Sequence, residues 1–250
     1  MKSRAFFFAL SFAAALMMLS PQTVSAQNNP PRSSQNTTYL PDDLLPDATA
    51  YLPSPTKPSD PLFAGDRAFY DWGKTLRGTE RGKQAHDDAN SNFNYLCSIF
   101  SPAVGVTLSY DSTPAICTLL SKATATARAA TSKAKDYYKR VRPYEEFNEG
   151  TGVPENEASY RGSASYPSGH STRGWSFALI LCELFPSHAD EILAVGYEYG
   201  ESRVIVGYHY ESDVQAARVS TSAVISVLHS DPGFQKDMKK AKKEVRKLSN

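Results

Sequence analysis

The chain has 250 residues, of which 41% are hydrophobic and 21% are charged, and its formal net charge is +1. This length and apolar fraction suit one domain with a sizeable core, and the near-neutral balance excludes a protein that holds nucleic acid or anionic membrane by overall charge. With only three cysteines, a dense disulfide framework is excluded as well.

The first segment has the pattern of a secretory signal peptide. Two basic residues precede the apolar run 5–19, and the small residues Val24 and Ala26 follow in a cleavage-site pattern. The run is shorter than the roughly 20 residues that span a bilayer, and no later segment is long and apolar enough. We therefore predict a signal peptide over 1–26, export to the periplasm and no membrane insertion.

A proline-rich arm is predicted over 27–63, which holds half of the 16 prolines of the chain. Stretches such as YLPSPTKPSDP cannot keep regular helix or sheet for long, because proline lacks a backbone N–H and fixes φ. We expect this arm to be either mobile or laid along the body.

Helical periodicity begins after the arm. Phe69, Trp72 and Leu76 recur at three- and four-residue spacing, which indicates an amphipathic helix. Further helices are predicted at 113–140, 170–185, 187–202, 210–229 and from 231 onward. Because no two-residue alternation appears, we predict an all-α domain over 64–250.

Two further features receive structural interpretations. Cys97 and Cys117 could form a disulfide, and Cys182 lies in the apolar stretch SFALILCELF, which favours a buried free thiol. The lysine-rich tail KDMKKAKKEVRKL carries an apolar stripe at helical spacing, so we interpret it as a solvated helix face and not as a nucleic-acid site.

The first candidate site element is a pair of cations. Lys135 and Arg142 are seven residues apart, two helical turns, so both would project from one helix face with Pro143 closing the helix. Together they could bind one anion.

A second element is the turn Pro167-Ser168-Gly169-His170 before an apolar helix. Such a turn points unpaired backbone N–H groups at one place, which makes an anion site. A histidine placed there would meet the bound anion.

The third element contains Arg203, His209 and Asp213. If a helix starts near His209, the four-residue spacing lets Asp213 reach the imidazole and fix its tautomer. The other ring nitrogen then keeps a lone pair and could act as a nucleophile or a metal ligand.

In this order and spacing, the three elements resemble the signature of the type 2 phosphatidic-acid-phosphatase superfamily, which includes bacterial nonspecific acid phosphatases, membrane lipid phosphatases and vanadium haloperoxidases. Within it the chain looks like a class A bacterial nonspecific acid phosphatase over nearly all of 27–250, including GDRAFYDWGKTLRGTERGK and GYHYESDVQAARV. It departs from the usual class signature at Ala164 and Ser171, and Ser171 retains a hydroxyl.

The resemblance implies a helical bundle of the acid phosphatase and haloperoxidase type and assigns roles to its residues. His209, oriented by Asp213, would attack phosphorus and form a phosphohistidine, and His170 would protonate the leaving alcohol and then activate water. The phosphate-binding residues would be Lys135, Arg142, Ser168, Gly169 and Arg203. It further implies broad phosphomonoester specificity with possible phosphotransferase activity, an acid optimum, a homo-oligomer that is commonly a dimer, and no metal or organic cofactor.

Alternative functions use some of the same residues. A vanadium haloperoxidase would hold vanadate in the same cradle, but such enzymes resemble larger chains. A noncatalytic phosphate-binding protein would need the cations but not the arrangement of His170, His209 and Asp213. A serine hydrolase is disfavoured because YPSGHS lacks the Gly-x-Ser-x-Gly elbow, and a metal site because no third ligand is in register. The other histidines are interpreted as satisfied polar residues: His86, His188 and His229.

Overall fold

A computed structural model describes residues 38–248, and the predicted signal peptide at 1–26 lies outside the described residues. Across 38–248 the regular structure is helical and contains no strand, which confirms the all-α prediction. The helices are α1 Ala48–Tyr51, α2 Phe63–Leu76, α3 Glu80–Asp87, α4 Phe93–Val104, α5 Pro114–Tyr138, α6 Pro143–Glu146, α7 Glu157–Tyr160, α8 Gly169–Leu184, α9 Ala189–Ile205, α10 Glu211–Leu228 and α11 Pro232–Leu248.

The helix boundaries follow local signals. Pro114 occupies the first turn of α5, where its missing N–H costs nothing, and α4 ends at Gly105 with φ +70°. The segment that begins at α2 is interrupted by a turn, after which Thr79 caps α3 by accepting the N–H of Gly82 at 3.3 Å. Helix α4 was not predicted from the sequence.

The core lies between α5, α8 and α10, with α4, α9 and α11 packed around them. Helices α8 and α9 approach closely through glycines. A Cβ on Gly174 would lie 2.5 Å from the ring of Tyr199, and one on Gly196 would lie 2.6 Å from Ala178 Cβ. This close contact sets the start of α8, where His170 lies, relative to the end of α9, where Arg203 lies.

The described part of the predicted arm lies along the body. The Tyr39 N–H donates to Thr126 Oγ1 at 2.9 Å, its hydroxyl donates to Asp237 at 3.1 Å, and Leu40 is buried in the core. The segment includes the four-residue helix α1, and α2 begins at the arm's last residue, Phe63.

The structure shows the environments of the three cysteines and of the basic C-terminal tail. Cys97 and Cys117 are buried free thiols in contact with each other, so the disulfide considered above is not formed, and Cys182 is a half-buried free thiol. Helix α11 buries Phe234 and Met238 on its apolar side. Within 38–248, we find no helix with the length and hydropathy needed to cross a bilayer.

Candidate active site

The anion-binding turn is formed at the start of α8. Ser168 is the N-cap, and its hydroxyl oxygen accepts hydrogen bonds from the N–H of Ser171 at 3.3 Å and the hydroxyl of Ser171 at 2.9 Å. Gly169 and His170 open the helix, so their N–H groups have no carbonyl one turn earlier to bond. The Ser168 N–H donates to the Asp213 carbonyl at 3.0 Å, which joins the start of α8 to the start of α10.

The histidine–aspartate pair has the predicted contact. His209 lies two residues before α10, and its Nδ1 is 3.2 Å from Asp213 Oδ2, which also accepts the Tyr210 N–H at 3.0 Å. Because a carboxylate only accepts hydrogen bonds, Nδ1 carries the proton and Nε2 keeps its lone pair. Arg142 Nη1 is 3.2 Å from that Nε2. The unprotonated nitrogen therefore faces the guanidinium that would hold an anion.

The placement of Lys135 and Arg142 corrects the prediction that both project from one face of a helix closed by Pro143. Helix α5 ends at Tyr138, and Lys139 adopts a left-handed conformation with φ +47° that reverses the chain. Lys135 reaches the site from the last turn of α5, whereas Arg142 comes from the loop before α6 and Pro143 opens that helix. The two side chains do share a site, but the turn brings them together.

Backbone carbonyls hold both cations in place. Lys135 Nζ donates to the carbonyls of Ala164 at 2.9 Å and Ser165 at 3.3 Å. Arg142 donates to the carbonyls of Ala164 at 3.2 Å and Ser163 at 3.1 Å. The loop before α8 therefore orients the cations without neutralising them.

Arg203 lies in the last turn of α9 and is 1% exposed. Its Nε and Nη1 have no hydrogen-bond partner within residues 38–248. A buried donor without an acceptor costs about 1–3 kcal/mol, and more when it is charged. Two such donors on one guanidinium indicate a binding position for an anion.

Burial and the neighbouring positive charges lower the pKa values of residues in the site. Burial and then Arg142 lower the pKa of Lys135 to about 7. The pKa of His209 is well below its ordinary value, first because the ring is buried and then because Arg142, Lys135 and Arg203 are close. A bound dianion would offset these positive charges.

His170 approaches the site from the first turn of α8. Its Nε2 is 3.0 Å from the Ala89 carbonyl, so Nε2 is the donor there and Nδ1 is left for proton transfer. The ring stacks on Tyr199 with centroids 5.9 Å apart. Burial and then Arg203 hold the pKa of His170 well below its ordinary value, which favours the neutral ring in the absence of an anion.

Sequence reasoning missed the groups that fix Asp213. Arg140 Nη1 is 2.7 Å from Asp213 Oδ1, and its Nη2 is 2.7 Å from Asp66 Oδ2 on α2. Asp66 also accepts the Ser212 N–H at 3.0 Å. Arg140 stands in KRVRP beside Arg142, which was the only available signal, and Asp66 had none.

Tyr160 at the end of α7 also went unpredicted. The Arg142 guanidinium lies 4.9 Å from its ring centroid, and the ring is 5.2 Å from that of Tyr208. Tyr160 lines two cavities, one of about 630 Å³ with Ala89 and one of about 670 Å³ with Lys135. It therefore borders both the cavity beside Ala89, whose carbonyl contacts His170, and the cavity beside Lys135.

The remaining histidines lie away from this cluster. His86 pairs with Glu155 at 3.1 Å and His229 with Glu183 at 3.0 Å, both at the surface, and His188 is exposed. Among residues 38–248, no group of three or more histidine, cysteine or acidic side chains is arranged to hold a metal ion.

Comparison with known proteins places the chain within a recognised family. Residues 115–236 match the PAP2 superfamily, a span that contains every candidate site residue predicted above. The chain is 42% identical over 211 residues to a non-specific acid phosphatase of Providencia stuartii, covering 84% of this chain and 85% of the relative. It is 39% identical over 201 residues to a non-specific acid phosphatase of Salmonella typhimurium, covering 80% of each. An acid phosphatase of Zymomonas mobilis subsp. mobilis is 34% identical over 226 residues, which cover 90% of this chain and 84% of the relative.

Proposed function

Because this chain belongs to the non-specific acid phosphatases of the PAP2 superfamily, we propose that it hydrolyses phosphomonoesters through a covalent phosphate on His209. The observation that carries this proposal is the pair of unpartnered Arg203 nitrogens, buried in the same site as the His209 Nε2 lone pair. Arg203 is 1% exposed and has no ion pair with a carboxylate within residues 38–248, whereas Arg218, which also has two nitrogens without a hydrogen-bond acceptor, pairs with Glu211.

Substrate binding is the first step. Lys135, Arg142 and Arg203 neutralise the phosphate dianion, and the guanidinium forks donate to its non-reacting oxygens. The Ser168 hydroxyl and the N–H groups at the start of α8 complete the cradle. Catalysis of phosphoryl transfer is mainly this positioning and charge stabilisation.

Nucleophilic attack follows in line with the leaving oxygen. The Nε2 lone pair of His209 forms the N–P bond as the P–O ester bond breaks, and the electron pair of that bond stays on the leaving oxygen. Asp213 accepts the Nδ1–H throughout and stabilises the positive charge that develops on the imidazole. Arg140 keeps the Asp213 carboxylate fixed by its 2.7 Å contact.

His170 supplies the proton. Since Arg203 contributes to the low pKa of His170, a bound phosphate dianion that offsets this charge raises that pKa and allows Nδ1 to take a proton. Nδ1 then protonates the leaving alcohol, and as a base it removes a proton from the water that cleaves the N–P bond. An alcohol in place of that water would give phosphotransferase activity.

The wider setting is proposed from the sequence. Export through the predicted signal peptide at 1–26 would place the protein in the periplasm, and we propose a homo-oligomer, most simply a dimer. We propose a broad range of phosphomonoester substrates and a mechanism that needs no metal. Activity should survive dialysis against a chelator, and vanadate should inhibit competitively, whereas loss on chelation with recovery on adding a divalent cation would contradict this mechanism.

The decisive experiment traps the phosphoenzyme in two variants. Rapid quench with ³²P-labelled p-nitrophenyl phosphate and with a labelled alkyl phosphate is followed by peptide mapping. His209→Ala should form no covalent phosphate with either ester. His170→Ala should accumulate phosphate on His209, with a smaller rate loss for the nitrophenyl ester, because its leaving group needs little protonation.

Matched controls separate these roles from damage to the fold. His86→Ala and His229→Ala remove surface histidines outside the cluster and should react as the unmodified protein does. Phosphate recovered on His170 in the His209→Ala protein would reverse the assignment. Equal rate losses for both esters in His170→Ala would remove its role as the general acid.

A further inference from the structure

Two arginines beside the site take no part in the mechanism above. Arg173 is on α8, three residues after His170, and Arg128 is on α5, seven residues before Lys135. Residues three or seven apart share a helix face, so each arginine lies on the same side of its helix as a candidate site residue. Because α5 and α8 pack against each other, the two arginines are brought together at the edge of the site.

Neither guanidinium has a partner of opposite charge in the part of the chain that the structure describes. Within residues 38–248, no ion pair and no side-chain hydrogen bond involves Arg128 or Arg173. Arg128 is exposed and Arg173 is half-buried. The pKa of Arg173 is lowered by burial and then by the charge of Arg128, while the phenols of Tyr199 and Tyr160 act in the opposite direction. The two cations therefore lie near enough to repel each other.

Both arginines also act on the candidate site. Arg173 is one of the charges that lower the pKa of His170, and Arg128 is one of those that lower the pKa of Lys135. His170 is the proposed donor to the leaving oxygen, so Arg173 lies on the side from which the leaving group departs.

The charge count exceeds what one phosphate can neutralise. The cluster contains Lys135, Arg142, Arg203, Arg128 and Arg173. A phosphate dianion offsets about two of these charges. The nearby carboxylate of Asp213 is already held by Arg140 and His209. When an ordinary monoester is bound, no anion therefore neutralises the positive charges of Arg128 and Arg173.

We propose that Arg128 and Arg173 form a second anion subsite, which binds a phosphate group carried by the leaving group of the substrate. This proposal rests on the proposed function and specifies its substrate class: nucleoside diphosphates or organic bisphosphates, both of which release a phosphorylated leaving group. Two guanidinium forks at one position match the oxygens of a phosphate.

The reaction stays balanced for both kinds of substrate. The N–P bond forms at His209 Nε2 as the bond from the attacked phosphorus to the leaving oxygen breaks, and the electron pair remains on that oxygen. In a bisphosphate the oxygen becomes an alcohol protonated by His170. In a diphosphate it belongs to a departing phosphate and needs no proton, and in both cases water then hydrolyses the N–P bond.

Matched substrates test the subsite. The ratio of kcat/KM for ADP to that for AMP, and for propane-1,3-diol bisphosphate to that for the monophosphate, would be measured for Arg128→Gln, Arg173→Gln and the double variant. The double variant should lower at least one ratio about tenfold, the effect of a lost charge-assisted contact. Whichever ratio falls identifies the source of the second phosphate. In the propanediol pair both leaving groups are alcohols that His170 would protonate, so this ratio cancels any general effect of Arg173 on His170.

Lys133→Gln is the matched control. It removes one positive charge from α5, but Lys133 is exposed and pairs with Asp47 instead of facing the site. Its ratios should equal those of the unmodified protein. Ratios that are unchanged in the double variant, or that fall equally in Lys133→Gln, would overturn the subsite.

A binding measurement separates this proposal from the proposed function. Methylenediphosphonate carries two phosphonates and methylphosphonate carries one, and neither is hydrolysed. Methylenediphosphonate should raise the Tm of the unmodified protein more than methylphosphonate does, and the double variant should lose that difference. If the protein hydrolysed no ester but showed this loss, the proposed function would fail and the subsite would stand. If it hydrolysed esters but the two phosphonates acted alike, the subsite would fail alone.

Discussion

Arg203 has a geometry that lysine cannot reproduce. Two of its guanidinium nitrogens are buried without an acceptor in residues 38–248, and both could reach one phosphate. Arg203→Lys keeps the charge but removes the fork, so we expect kcat/KM for p-nitrophenyl phosphate to fall at least tenfold, or about 1.4 kcal/mol.

Arg218 provides the control for this substitution. It is 7% exposed, and two of its nitrogens also lack a hydrogen-bond acceptor in the described chain. Unlike Arg203 it has an ion-pair partner, because its Nη1 lies 3.7 Å from Glu211 Oε1, and its guanidinium lies 3.8 Å from the centroid of the Tyr197 ring. Arg218→Lys should keep the activity even if Tm falls. Native kinetics in Arg203→Lys would show that the fork does not contact substrate.

Lys135 links the site to pH. Because its pKa is lowered to about 7, the cation is present in acid and is lost as the pH rises through 7. We expect kcat/KM, which reports the free enzyme, to decline on the alkaline side near that value. Lys135→Arg keeps its charge across this range and should move the decline to higher pH, although the larger group lowers the maximum.

The substrate titrates identically in both proteins, so a difference between the profiles belongs to residue 135. Lys133→Arg, on the same helix but paired with Asp47, should leave the profile unchanged. An alkaline limb at the same pH in Lys135→Arg would assign the decline to another group.

Single residues also show what sequence can predict. The four-residue spacing of His209 and Asp213 anticipated their contact, because the spacing across a helix start fixes which side chains meet. Arg140 and Asp66 were not anticipated, because their contact joins positions 74 residues apart and no local pattern encodes it.

At the scale of elements, the pairing of α8 with α9 controls the site. Gly174 faces the Tyr199 ring, and that ring stacks on His170. Gly174→Ala should displace the ring, lower the free energy of unfolding by about 1–3 kcal/mol, and lower kcat/KM. Urea unfolding and steady-state kinetics measure the two effects.

Gly65 offers the opposite case. It lies on the exposed side of α2, and a Cβ there meets nothing within 4 Å. Gly65→Ala should stabilise the protein by about 0.5 kcal/mol and leave the kinetics unchanged. Equal effects of the two substitutions would show that the α8–α9 contact is not tightly packed.

Element prediction succeeded where caps and periodicity agreed. Helices α8 and α10 were expected at 170–185 and 210–229 and form at Gly169–Leu184 and Glu211–Leu228. The prediction that Lys135 and Arg142 share one helix face was wrong, because Lys139 adopts a left-handed conformation that no local sequence pattern indicates. Non-glycine residues seldom adopt it, so spacing alone extends the helix too far.

For the whole molecule, helical periodicity without two-residue alternation was sufficient to predict the all-α class, and the order of the motifs was sufficient to predict the family. The relation between distant segments was not predicted, since Asp66 on α2 meets the start of α10 both directly, by accepting the Ser212 N–H, and through Arg140. The formal net charge of +1 likewise conceals the local excess of positive charge at the site. The net charge sums over all residues, whereas the fold brings positively charged residues together at the site.

This local excess of positive charge makes the stability of the whole molecule depend on whether an anion occupies the site. The cations Lys135, Arg142 and Arg203 are held together without a neutralising carboxylate on any of them in the described chain, so a bound anion relieves their repulsion. Phosphate at about 100 times its Kd should raise the free energy of unfolding by roughly 2.7 kcal/mol. Urea unfolding with and without phosphate measures this, and Arg203→Gln should reduce the gain at the same concentration.

The unneutralised cluster has a consequence for the lifetime of the protein. Proteases cut chains mainly while they are open, and the open fraction falls about tenfold for each 1.4 kcal/mol of added stability. Product phosphate that lingers in the site would therefore shield the enzyme from degradation, whereas depletion would expose it. Digestion by thermolysin should be slower in phosphate than in chloride at equal ionic strength, so that abundance of the protein follows the supply of the anion it releases.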